Sequence, residues 1–165
     1  MRRGNRRGDA LIEFTLLGIP LVFATISVVE VGIDMWEFHN LAFVAGVTSR
    51  YILMHGATCA QNGNSCTITV GTIATFFIAE GKALNSGSAI MALTDGSGTT
   101  TCNPVSSCTS SATKFPNASY NSVGSNITVK ATYTLTNPFF MYWAPETVAA
   151  HDFTVAASSQ ARIVF

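Results

Sequence analysis

The stretch Arg6-Arg7-Gly8-Asp9-Ala10-Leu11-Ile12-Glu13-Phe14 opens the one long apolar run of the chain. The apolar character extends from Ala10 to Ile33, and residues 14–29 carry no charge. At 1.5 Å per residue, these roughly 24 residues make a helix of about 36 Å, which is long enough to cross a bilayer. The sequence therefore predicts a membrane-spanning helix over about residues 10–33.

The charges are unevenly distributed, although the chain of 165 residues has a formal net charge of zero. Four of the nine Lys and Arg residues precede Asp9, whereas all nine Asp and Glu residues lie at or after it. Because basic residues favour the cytoplasmic side of a membrane segment, we expect a cytoplasmic N-terminus and a C-terminal part on the periplasmic or extracellular side of a bacterial inner membrane. Outside residues 1–8 no basic stripe remains, so nothing points to nucleic-acid binding.

A cleaved secretory signal peptide is the alternative for this N-terminal region, because such peptides also begin with basic residues. Three features count against it. The apolar run is longer than the core of a signal peptide, glutamates lie at both of its borders, and no small-x-small cleavage site follows at the right distance.

Glu13 lies about one turn inside the N-terminal border of the apolar run, and an acidic group costs roughly 2.5–3.5 kcal/mol at mid-membrane, with a smaller cost near the edge. A basic leader, a small residue at Gly8 and a glutamate five residues later resemble the processing site of type IV prepilins. The resemblance implies cleavage between Gly8 and Asp9, followed by assembly through Glu13. The alternative is a simple membrane anchor in which Glu13 lies at the headgroup boundary. Glu30, near the outer border, either contacts a neighbouring subunit or is solvated.

The first helix is predicted to continue beyond the membrane, from Asp9 to about Met54. Pro20, shortly after Gly18, is expected to kink it. Beyond Ile33 the helical period gives two apolar stripes, so we expect one face to pack on the chain's own C-terminal domain and the other on a neighbouring helix. One stripe contains Ile33, Trp36, Phe43, Val44, Val47, Tyr51 and Met54, and the other contains Phe38, Leu41, Ala45 and Ile52.

The rest of the chain predicts a small α+β domain. The clearest element is a half-buried strand over 126–136, where apolar residues alternate with Thr and Lys. We also predict a short amphipathic helix over 70–84, strands over 89–93 and 153–164, a polar surface loop over 94–125 with a turn at Asp95–Gly98, and an aromatic connection over 139–152.

The four cysteines all follow the membrane segment, in two local pairs: Cys59 with Cys66, and Cys102 with Cys108. An even number of cysteines outside the cytoplasm favours disulfides. The spacings do not match the short knuckles of zinc sites, so no metal site is predicted. Local pairing is expected, although cross-pairing between the two groups is open from sequence alone.

Catalytic motifs are missing from the sequence. His39, His55 and His151 are isolated from one another along the chain, and no nucleophile elbow, metalloprotease motif or phosphate-binding loop is present. We therefore expect neither an enzyme nor a bound cofactor. The aromatic connection that contains Tyr142 and Trp143 is interpreted as hydrophobic packing, with an adhesive or subunit-contact patch as the alternative.

Taken together, these features resemble the TadE-like family of tight-adherence (Tad, or Flp) pilus proteins. The matching features are the Arg7–Phe14 start, Pro20, the Val29-Glu30-Val31-Gly32 segment, the 41–51 helix and the final pair of strands. Members are pseudopilins or minor pilins processed by a membrane aspartic peptidase, so the resemblance implies a prepilin peptidase and other pilin subunits as partners. Asp9 departs from the pattern, because the wider type IV pilin class prefers an apolar residue there.

The sequence thus predicts an α+β protein in which a long N-terminal transmembrane helix extends into a small antiparallel β domain with a short second helix. The predicted parts are a leader (1–8), a long helix (9–56) and an outer domain (57–165). The predicted function is a membrane-anchored pseudopilin or minor pilin in an adhesive pilus. The alternative is a single-pass envelope protein whose outer domain binds a partner and does not polymerise.

Overall fold

A computed structural model describes residues 6–55, 68–136 and 152–164 of the chain. Two helices, four strands and one short 3₁₀ turn follow one another along these residues. They are α1 (Arg6–Leu53), α2 (Val70–Glu80), β1 (Ile90–Asp95), β2 (Gly98–Cys102), the 3₁₀ turn (Val105–Cys108), β3 (Asn126–Thr136) and β4 (Asp152–Arg162). The chain is therefore α+β, as predicted.

The chain divides into two compact units, and the division falls within α1. The first unit contains α1 up to Met35, and the second contains the rest of α1 together with α2 and the sheet. The predicted helix from Asp9 to about Met54 is confirmed, with a start three residues earlier. It runs through Pro20 without a break, and the kink expected there stays a prediction.

The sheet has the strand order β2-β1-β3-β4 and is antiparallel. The alternation predicted for 126–136 is confirmed, because its apolar side chains all face the core. These side chains are Ile127, Val129, Ala131, Tyr133 and Leu135. Across the ladder, Met91 lies opposite Ala131 and Leu93 lies opposite Val129, so β1 and β3 contribute paired residues to the same face.

The outer half of α1, from Trp36 to Leu53, packs on that core face. Its buried apolar residues join one cluster with those of the sheet and α2, and they are Leu41, Val44, Ala45 and Ile52. The hydroxyls of Ser49 on α1 and Ser159 on β4 are 2.8 Å apart. The rings of Tyr51 on α1 and Phe76 on α2 are stacked with their centroids 4.2 Å apart. Contacts with both β4 and α2 therefore fix this half-helix in the second unit.

Two sequence predictions need correction. The polar segment 94–125 is not one irregular loop, because it contains β2; the run of threonines there forms an exposed edge strand that pairs with β1. The turn at residues 96–97 joins the two strands, in agreement with the turn predicted at Asp95–Gly98.

The second helix ends at Glu80 rather than at residue 84, because the backbone of Gly81 leaves the helical conformation while its N–H still donates to the carbonyl of Phe77. The aromatic connection over 139–152 lies outside the described residues, except that β4 begins at residue 152.

Asp95 holds the β1–β2 turn against the loop that contains Asn117. The backbone N–H groups of Asn117 and Ser97 each donate to its carboxylate at 2.8 Å, and the Ser97 hydroxyl also donates to it. Burial by itself would raise the pKa of Asp95, but these hydrogen bonds together with one from the Gly98 backbone hold that pKa below its usual value.

Asp95→Asn is expected to lower the free energy of unfolding by about 1–3 kcal/mol at neutral pH, because an amide cannot accept from all of these donors. A carboxylate with a lowered native pKa stabilises the fold above its unfolded pKa, and this contribution is lost as the pH falls through the native pKa. Thermal unfolding followed by circular dichroism should therefore show a lower Tm for the variant than for the wild type at pH 7. This difference in Tm should become smaller in acid. The exposed Glu80→Gln is the control, and a difference that stays constant in acid would contradict the assignment.

Candidate assembly surfaces on the long helix

The predicted processing site lies at the very start of α1. The helix begins at Arg6, so the backbone of Gly8 and Asp9 belongs to its first turn. Cleavage after Gly8 would remove only the first residues of the helix and leave its apolar part whole. Processing itself stays a prediction.

The helix in the first unit is apolar around its whole circumference. Large apolar side chains on every side are exposed, among them Phe14 at 75%, and further ones are Ile12, Leu16, Leu17, Ile19, Leu21, Val22, Val28, Val29, Val31 and Ile33. A helix of this kind must be surrounded by apolar material, either lipid or other helices. By length and composition, α1 is the one helix among the described residues that is long and apolar enough to cross a membrane.

The hydroxyl groups within this apolar segment bond to the helix itself. Thr25 donates to the carbonyl of Leu21 at 2.8 Å, and Ser27 donates to that of Phe23 at 3.0 Å. Thr15 likewise donates to the carbonyl of Ile12. Because polar groups are costly in hydrocarbon when they lack a partner, these local bonds make the segment compatible with lipid.

Glu13 is exposed and lies beside a hollow on the surface of α1. The hollow has a volume of about 390 Å³, and a second one of about 320 Å³ lies on the other side of Phe14. Both include Gly18, where an added Cβ would meet nothing closer than the Phe14 ring at 3.9 Å. Gly18 and Glu13 therefore line the same hollow, and the glycine leaves space in it for a neighbouring side chain. Sequence reasoning used Gly18 only for the kink and missed this space.

Glu30 differs from Glu13 in its surroundings. Its side chain is only 9% exposed, whereas Val29 and Val31 on either side are exposed. Glu30 is therefore largely covered within the chain. The predicted contact between Glu30 and a neighbouring subunit stays a prediction.

The outer half of α1 carries an exposed apolar stripe on the side away from the core. Trp36 and Phe43 on α1, and Met54 directly after its end, follow the helical period of one predicted stripe, and each is more than half exposed. The two apolar faces predicted for this half-helix are therefore present. Most of the Leu41 stripe packs in the core, joined by Val44 and in part by Tyr51, whereas Trp36 and Phe43 of the other stripe stay at the surface.

The predicted disulfide between Cys102 and Cys108 is confirmed, with Cα atoms 5.7 Å apart. It joins the end of β2 to the end of the 3₁₀ turn, next to a loop that receives the start of α2. There the backbone N–H of Val70 donates to the carbonyl of Thr113 at 2.8 Å. Cys59 and Cys66 lie outside the described residues. Because Cys102 and Cys108 are bonded to each other, a bond between Cys59 and Cys66 is the one intrachain disulfide left, and it stays a prediction.

The two described histidines, His39 and His55, contact residues that are close to them in sequence. His39 is next to the ring of Phe38, and Nδ1 of His55 is 2.7 Å from the carbonyl oxygen of Tyr51. His151 lies outside the described part of the chain. Within that part, no three His, Cys, Asp or Glu side chains form a group that would hold a metal ion.

Comparison with known proteins gives no relative: no family model, curated protein or solved structure matches the chain.

Proposed function

We propose that this protein is a membrane-anchored pseudopilin or minor pilin that contributes to assembly of a Tad/Flp-type adhesive pilus. The observation that carries the proposal is the 48-residue helix α1. Its first part is apolar on all sides, and its outer half packs on a small β domain with one face while a second apolar face stays exposed. A lone membrane anchor needs only the apolar first part. A subunit of a helical bundle also needs the second, exposed apolar face for contact with a neighbouring helix.

The position of Glu13 supports the same function. An exposed carboxylate lies on an otherwise apolar helix surface, beside the hollow at Gly18. In a bundle of such helices the carboxylate would meet the new α-amino group of a cleaved neighbour, and the two opposite charges would offset part of each other's burial cost. The proposed partners are a prepilin peptidase and other pilin subunits, and the proposed location is the bacterial inner membrane with the second unit on the outer side.

Cleavage after Gly8 is the direct test. In a strain with an active prepilin peptidase, intact-mass analysis of the membrane-extracted protein is expected to find a chain that begins at Asp9. Gly8→Leu is expected to abolish this processing, because the cut requires a small residue. Gly4→Leu makes the same change within the leader, four residues upstream, and should leave the processing intact.

A chain that keeps residues 2–8 in that strain would overturn the proposal. It would favour the alternative, a single-pass envelope protein whose outer domain binds a partner without polymerising. A cleaved chain that is also recovered from sheared surface fibres would support the pilin function. A cleaved chain found only in the membrane would limit the role to assembly.

A further inference from the structure

β4 is an edge strand of the described sheet, and its own sequence lacks the residues that usually protect such an edge. It lies last in the order β2-β1-β3-β4 and is 11 residues long, about twice the usual length of a strand. Natural edge strands are normally protected from pairing by charges, prolines or bulges. Between its end residues, Asp152 and Arg162, β4 contains neither a charge nor a proline.

The backbone groups that face outward along this edge can be assigned. The N–H of Ile163, just after β4, donates to the carbonyl of Ser125 at 2.8 Å, and its carbonyl accepts from the N–H of Gly124 at 2.7 Å. In an antiparallel ladder both groups of a residue point to the same side, and the side alternates along the strand. The odd-numbered residues of β4 therefore face β3, and the even-numbered ones direct their N–H and C=O groups outward.

The sequence of β4 is self-complementary in one register. Asp152 and Arg162 lie equally far from Ala157, so antiparallel pairing of two copies about Ala157 puts each Asp152 opposite an Arg162. The same register places even-numbered residues opposite even-numbered ones, so the outward backbone groups of the two copies meet. A shift of one residue would separate these groups, and parallel pairing in register would bring like charges together.

We propose that β4 is a self-association edge, which pairs antiparallel with β4 of a second copy about a two-fold axis at Ala157. The small residues at the centre allow close approach, and the charges at the ends select the register. Arg162 is exposed, and its Nε donates to the carbonyl of Gly124 at 3.0 Å. The contact does not depend on cleavage at Gly8 or on the proposed pilin function.

The two-fold axis has a consequence for the helices. It is perpendicular to the sheet, and the outer half of α1 lies on the sheet face, so the axis reverses the direction of this half-helix in the second copy. The contact therefore places the two half-helices antiparallel to each other. It is distinct from the side-by-side packing of helices proposed for assembly in one membrane.

A single cysteine at position 157 tests the register. Residues opposite each other in a non-hydrogen-bonded pair have Cα atoms about 4.5 Å apart, within the usual range for a disulfide. Full-length Ala157→Cys in detergent is therefore expected to form a cross-linked dimer under mild oxidation on a non-reducing gel. Val155→Cys is the matched control on the same face. Its two copies would be about 13 Å apart along the strands, so no dimer is expected.

A charge exchange tests the same contact without cysteines. Asp152→Arg keeps the Arg162 bond to Gly124 but places like charges opposite each other, so light scattering should find the variant monomeric while circular dichroism finds it folded. The double variant Asp152→Arg with Arg162→Asp should restore the dimer. Absence of a cross-link at position 157, equal cross-linking at 155 and 157, or a monomeric double variant would each overturn the proposal.

Discussion

Gly71→Ala is expected to destabilise the second unit by about 1–3 kcal/mol, the usual cost of forcing extra atoms into a packed site. The direction is informative, because the same change at an open helix position stabilises by about 0.5–1 kcal/mol. At Gly71 a Cβ would lie 2.7 Å from the carbonyl oxygens of both Thr109 and Ser111, and 3.1 Å from the Ser111 nitrogen. All three are backbone atoms and cannot rotate away. The N–H of Gly71 also donates to the Ser111 carbonyl, so a shift of α2 would strain this bond as well.

Thermal unfolding of the purified protein in detergent measures this effect, with an expected loss of several degrees in Tm. Gly46→Ala is the matched control, since Gly46 also lies in a helix and an added Cβ there would meet nothing within 4 Å. The control should be neutral or slightly stabilising. Equal effects of the two substitutions would contradict the close approach of α2 to the loop beside the Cys102–Cys108 disulfide.

The elements that could be predicted from sequence are those whose pattern matches their burial. β3 alternates strictly because one face is in the core and the other is not, so its bounds and its buried residues are both readable. β2 was missed because its exposed threonines have no buried apolar partner to mark them; its signal is the turn after Asp95, which joins it to β1. The end of α2 was overestimated because the apolar period continues to Leu84 after Gly81 has ended the helix.

Which face of α1 enters the core could not be decided from periodicity. Both stripes of the outer half are apolar, and Val44 was assigned to the stripe that is otherwise largely exposed. The choice depends on the shape of the sheet and on contacts such as Tyr51 with Phe76, which connect residues far apart in sequence. The burial of Glu30 likewise could not be predicted from the local pattern. The hollow at Gly18 is local, because residues of α1 alone line it, and it follows from the spacing of side chains along the helix.

Glu13→Ala is expected to leave membrane insertion and cleavage largely intact but to abolish incorporation into fibres. Cleavage after Gly8 would give Asp9 an α-amino group whose usual pKa is about 7.7–8.0, so it is largely cationic at neutral pH. In a staggered bundle this amine would meet the Glu13 carboxylate of a neighbour at the hollow beside Gly18. Removal of one partner leaves the other charge buried without compensation, which costs about 3–5 kcal/mol in buried pairs. Such a loss at every subunit contact would prevent assembly.

Glu13→Gln separates the charge from the shape of the side chain, because it keeps the size and the hydrogen-bonding atoms but not the negative charge. If assembly requires pairing with the amine, Glu13→Ala and Glu13→Gln should both be processed normally, and both should be missing from sheared fibres. The exposed control Glu80→Ala should be incorporated like the wild type. Asp9 adds a second carboxylate beside the amine, and pairing within one chain competes with pairing between chains. Processed Glu13→Gln present in sheared fibres at wild-type levels would therefore show that the carboxylate of Glu13 is not needed, and that the helix assembles through its apolar surfaces alone.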